Sequence, residues 1–116
     1  MRKLRKIKKF GRLKDKREQM IKSLANSLIF YDKIETTETK AKVLKSFIDR
    51  LVTKAKAGTL HDRRQILRYL DNEIATKKLI EVYGPKYKER TSGFTRLART
   101  GNRAADNAPM VLIEFI

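Results

Sequence analysis

Between Leu44 and Ala55 the apolar residues Leu44, Phe47, Ile48, Leu51, Val52 and Ala55 recur at i, i+3, i+4, i+7, i+8 and i+11. That spacing predicts an amphipathic helix whose apolar stripe must be buried against a second layer. Lys40, Lys42, Lys45, Arg50 and Lys54 fall mostly on its other faces. Thr37 suits the N-cap and Gly58 the left-handed residue that ends the helix. A chain of 116 residues suits one domain with one modest core, so the covering layer has to come from the flanking segments.

Those segments divide into helices and strands. "DKRE", Asp15 to Glu18, has the form of a capping box, and Met20, Ile21, Leu24, Ala25 and Leu28 then make one apolar face to about Tyr31. "KIETT" has strand composition around Ile34. A short helix is expected over Leu60–Tyr69, with Ile66, Leu67 and Leu70 inward. Asp71 or Asn72 would cap a fourth, with Ile74, Ala75, Leu79 and Val82 inward and Gly84-Pro85 as its stop. Phe94–Arg99 reads as a strand in which Arg96 points opposite to Thr95, Leu97 and Arg99. "TGNRAADNAP" reads as a loop, and "MVLIEF" as a strand covered on both faces except at Glu114. The expected fold class is α+β: four helices packed on a small three-stranded mixed sheet, preceded by a basic extended N-terminal arm. Residues 1–14 form the arm and residues 15–116 a single globular domain.

Charge decides which partners suit this domain. Lys and Arg number 29 against 13 acidic residues, a net +16. Residues 1–17 hold ten basic residues and one acid, and residues 86–103 hold six and one. Two distant runs of one sign favour a common polyanionic partner over a merely solvated face. The arm cations Arg2, Lys3, Arg5, Lys6, Lys8, Lys9 and Arg12 suit phosphates without reading bases. Arg96, Arg99 and Arg103, with Asn102 beside them, are candidates for bidentate phosphate contacts; the alternative is a strand edge charged against aggregation. Arg63 and Arg64 open the third helix, where a helix N-terminus attracts phosphate. Lys40 and Lys42 stand in the first turns of the second helix, where cations slightly oppose the macrodipole. Phe10, Tyr31, Tyr83 and Tyr87 are able to stack on bases, although packing is the safer reading of them.

Several classes find no support. The chain has no cysteine, which fits a reducing compartment, and no apolar run near the roughly 18 residues of a membrane span. The basic start lacks the apolar segment of a secretory signal, and it lacks the serine and alanine of an organellar presequence. His61 is the lone histidine, and neither a metal-ligand cluster nor a nucleophile–base set is evident. No enzyme, metal, cofactor, small-molecule substrate, membrane partner or homo-oligomer is therefore expected.

Several blocks occur in a familiar order: "SLANSLIFYDKIETTETKAKVL", "HDRRQIL", "DNEI" and "GFTRLARTGNRAADNAPMVLIEF". From about Lys9 to Ile116 the chain resembles the bacterial family of large-subunit ribosomal protein seventeen. Its most specific blocks are "IETTETKAK" and the C-terminal arginine strand with "DNAPM". The resemblance implies a structural constituent of the large ribosomal subunit. Such a protein binds and stabilises large-subunit ribosomal RNA near the peptide exit region, beside neighbouring ribosomal proteins. It also implies a cytoplasmic ribosome, with an organellar one as the variant. The alternative from charge alone is a non-specific nucleic-acid-compacting protein. The chain departs from the family in "LKDKR", which keeps Arg17 as an RNA contact but places Lys16 where the family has histidine. It also has Ala105 where the family commonly has glycine; if that glycine serves a positive φ, Ala105 must either avoid the conformation or accept strain.

Overall fold

The computed structural model describes residues 14–116. Its elements run α1 (Lys14–Tyr31), β1 (Lys33–Thr37), α2 (Glu38–Ala57), α3 (Leu60–Leu70), α4 (Glu73–Lys78), then β2 (Thr95–Asn102) and β3 (Pro109–Phe115). The α+β class stands. The strand order is β1-β3-β2, and both pairings are antiparallel, so the sheet is antiparallel throughout where a mixed one was expected. The reason is that β3 follows β2 through a short hairpin loop, while β1 meets β3 in the opposite sense.

Helix α2 is the spine. It buries Leu44, Ile48, Leu51, Val52 and Ala55, as its periodicity predicts. Thr37 takes the N-cap position with extended backbone but makes no side-chain cap bond. Gly58 ends the helix at φ 65, its N–H donating to the Lys54 carbonyl. Around α2 pack Leu28 and Ile29 of α1, Ile66 and Leu70 of α3, and Ile113 and Phe115 of β3. At the start of α1, Asp15 already lies in the first helical turn, so the capping box expected at Asp15–Glu18 does not open the helix.

The fourth helix departs most from its sequence pattern. Asn72 caps it, its side chain accepting from the Ala75 N–H, while Asp71 closes α3 in the left-handed conformation. The buried residues are Ala75, Thr76, Leu79 and Tyr83; Ile74 is 71% exposed and Val82 is exposed. Thr76 tolerates burial because its hydroxyl donates to the Asn72 carbonyl at 2.7 Å. Ala75 and Leu79 are buried as expected; beyond Leu79, Tyr83 replaces Val82 inward because residues Leu79–Tyr83 form a π-helical segment, with the Gly84 N–H reaching back to the Leu79 carbonyl. Gly84-Pro85 therefore does not stop the helix, which continues for a last turn over Gly84–Lys86. The proline stands at the start of that turn, where its missing N–H is tolerated. In α3, Leu67 likewise turns outward, leaving Ile66 and Leu70 as its buried residues.

Gly84 has a packing role of its own. A Cβ there would lie 2.9 Å from the Ala55 carbonyl oxygen, part of the α2 backbone. Gly84→Ala should push the helices apart and cost roughly 1–3 kcal/mol, readable as a lowered urea midpoint. An unchanged midpoint would contradict this close approach.

The sheet positions the charged face. In β3, Val111, Ile113 and Phe115 are buried, whereas Met110, Leu112 and Glu114 are only half-buried. The strand is thus fully covered on one face, not on both as expected. Strand β2 runs to Asn102, past the expected end at Arg99, with a register shift between Arg99 and Gly101. The loop after it takes its positive φ at Asn107, at 59°, so Ala105 does avoid that region.

Candidate nucleic-acid interface

The register of the sheet gathers several of the predicted cations, and it gives each arginine a carboxylate. Arg96 stands opposite Glu114 on the outer face, and its Nη2 lies 2.8 Å from Glu114 Oε1. Lys33 faces the same Glu114 from β1. Two cations therefore flank one anion across three strands. Arg99 points the other way, as alternation predicts, and its Nη2 donates to Glu38 Oε2 at 2.8 Å. Glu38 also accepts Lys42 at 3.0 Å, so one carboxylate holds together two residues that are 57 positions apart in the chain. The hydrogen bond and charge of Lys42, followed by those of Arg99, lower the Glu38 pKa.

At the hairpin tip Arg103 grips Asp106 with two parallel bonds, Nε to Oδ1 at 3.0 Å and Nη2 to Oδ2 at 2.7 Å. The Asp106 carboxylate also accepts the Ala108 N–H, and Asn102 donates to the Asn107 side chain at 3.1 Å. The Arg103 hydrogen bonds first, and the Ala108 N–H second, hold the Asp106 pKa down at about 2. A carboxylate with a depressed folded pKa contributes its stability above the unfolded value and loses it as pH falls. The tip should therefore be ordered at neutral pH and loosen between about pH 4 and 2. Carboxyl-carbon NMR of Asp106 would follow this. A midpoint near pH 4 would mean that Arg103 does not hold it.

The remaining candidates lie elsewhere. Arg63 and Arg64 are exposed at the start of α3, which follows the C-terminal end of α2. Arg99 and Lys42 meet at Glu38, which opens α2, so most of a 20-residue helix about 30 Å long lies between that pair and Arg63 and Arg64. Arg17 is half-buried near the start of α1, and Lys40 is half-buried in the first turn of α2. Neither has a carboxylate partner among the described residues. Arg2, Lys3, Arg5, Lys6, Lys8, Lys9 and Arg12 lie outside the described residues, as does Phe10.

Tyr83 and Tyr87 are not available for stacking on bases. Both are buried in an aromatic cluster with Phe94 and Phe115, where Tyr83 stacks on Phe115 at 4.0 Å. Tyr31 remains exposed. The carboxylate partners are what the sequence reading missed. Arg103–Asp106 is local enough to be suspected, but Arg96–Glu114 and Arg99–Glu38 exist only through strand register and helix docking. Among the described residues no group of His, Cys, Asp and Glu is placed to hold a metal ion. No described helix is long and apolar enough to cross a membrane.

The two faces of β2 and the hairpin tip thus each carry an exposed arginine held by a carboxylate: Arg96 by Glu114, Arg99 by Glu38 and Arg103 by Asp106. Exposed ion pairs are weak, so a phosphate can displace the acid without a large penalty. The sequence profile described as Ribosomal protein L17 matches residues 20–116. Large ribosomal subunit protein bL17 of Moorella thermoacetica is 46% identical over 109 residues, covering 94% of this chain and 97% of that protein. The Carboxydothermus hydrogenoformans protein of the same name is 46% identical over 108 residues, covering 93% and 96%. That of Clostridium botulinum is 41% identical over 109 residues, covering 94% and 96%. With one non-enzymatic family matching residues 20–116, including α2 and the arginine-bearing β2, the chain belongs to the ribosomal protein L17 family.

Proposed function

We propose that this protein is a structural constituent of the large ribosomal subunit, binding and stabilising large-subunit ribosomal RNA near the peptide exit region. The observation that carries this reading is the match, over more than nine-tenths of both chains, to relatives named as large-subunit proteins. The mechanism is electrostatic clamping by a rigid unit. Residues 15–116 act as one domain that presents Arg96 on the outer face of the sheet, Arg99 and Lys42 beside Glu38 at the start of α2, and Asn102 and Arg103 at the hairpin tip. Arg63 and Arg64 offer a second contact about one helix length away. Residues 1–14, with seven cations up to Arg12, add further phosphate contacts. Neighbouring ribosomal proteins are the remaining partners, and a single copy on a bacterial cytoplasmic ribosome is the expected state.

Sedimentation of a lysate containing the tagged protein tests this. The protein should travel with large subunits at low salt and stay there at high salt, because shape fit adds to charge. Its appearance in DNA-containing fractions would favour non-specific nucleic-acid compaction instead. The carboxylates interleaved with the arginines argue against that outcome, since they weaken the field that a general polyanion would feel.

A further inference from the structure

The described surface holds a second feature with ligand chemistry, on the helical side. Phe47, Arg50, Leu51 and Lys54 of α2 and Tyr69 of α3 line an open cavity of about 150 Å³. Leu51 is buried and forms its floor. Phe47 and Tyr69 meet edge to face, with ring centroids 6.1 Å apart and planes at 87°. Tyr69 is nevertheless 44% exposed, a large ring left open to solvent. Arg50 stands exposed at the rim with no carboxylate partner among the described residues, and Lys54 is steadied by Gln65 at 2.9 Å. No acidic residue lines the cavity. An aromatic wall, an apolar floor and two cations at the mouth match a flat ring that carries a phosphate. A void of this size accepts a single aromatic ring. Single-stranded RNA is recognised by such means, with a base stacked on an aromatic side chain and its phosphate on an adjacent cation.

We propose that this cavity receives one unstacked nucleotide of ribosomal RNA, its base against Tyr69 and Phe47 and its phosphate on Arg50 and Lys54. The inference rests on the ribosomal RNA reading but adds a base-contacting site distinct from the arginine strand. The full-length protein would be bound to deproteinised large-subunit ribosomal RNA, and the complex cross-linked by ultraviolet light and mapped by mass spectrometry. A nucleotide adduct is expected on Phe47 or Tyr69. Tyr69→Ala should weaken binding about tenfold with the salt slope unchanged, while Tyr69→Phe restores it. Arg50→Gln, at an exposed position that folding tolerates, should lower the salt slope by about one. Full affinity in Tyr69→Ala and Arg50→Gln, with no adduct at the cavity, would overturn the proposal and leave the ribosomal RNA reading intact. Failure of the unaltered protein to bind the RNA would remove both. Protection of Tyr69 by a neighbouring protein in assembled subunits, without an RNA adduct, would assign the cavity to that protein instead.

Discussion

Tyr83→Ala is expected to cost the fold about 3–5 kcal/mol, the range for removing a large aromatic ring from a core. Tyr83 lies at the centre of the aromatic cluster that joins the fourth helix to the sheet. Its ring stacks on Phe115 at 4.0 Å and runs parallel to Tyr87 at 6.4 Å. Its hydroxyl donates to the Ile29 carbonyl at 3.3 Å, tying α1 to the same point. Small domains are stable by only about 5–15 kcal/mol, so this loss would leave a substantial unfolded fraction under mild denaturant. Tyr83→Phe should cost only about 1 kcal/mol, because it keeps the stack and loses one long hydrogen bond. Urea unfolding followed by circular dichroism separates the two. Equal, small effects would show that the helix and sheet are joined elsewhere.

The second large effect concerns binding. Replacing Arg96, Arg99 and Arg103 together by glutamine should reduce the salt dependence of ribosomal RNA binding by about three phosphate contacts. The opposite substitutions, Glu38→Gln, Asp106→Asn and Glu114→Gln, free the same arginines from intramolecular competitors. They should tighten binding and steepen the salt slope. Salt titrations of both sets against one RNA make the comparison. If the arginines serve only their carboxylates, both sets would alter thermal stability while the slope stayed constant.

Much of this was legible in the residue pattern because the signals are local. The α2 stripe, the Gly58 stop, the Asn72 cap and the alternation of Arg96 against Arg99 depend on neighbours within a turn or a strand. The family blocks are local too, and they carried the ribosomal reading. The fourth helix was misread because a π-helical segment changes the period that the pattern assumes. Val82 then turns outward and Tyr83 turns in, while Ile74, upstream of the segment, faces out because Ala75 and Thr76 take the buried face.

By itself the sequence determined the α+β class, the helical spine, the family and the presence of a polyanion-binding charge excess, since composition and periodicity are properties of the chain. Only the tertiary structure decided how that charge is presented. Pairing β2 with β3 set Glu114 against Arg96, and docking β2 beside the start of α2 set Glu38 between Arg99 and Lys42. Tyr69 met Phe47 only when α3 folded back on α2. Ion pairs and cavities depend on distances of a few ångströms between residues far apart in sequence, and register and helix packing set those distances.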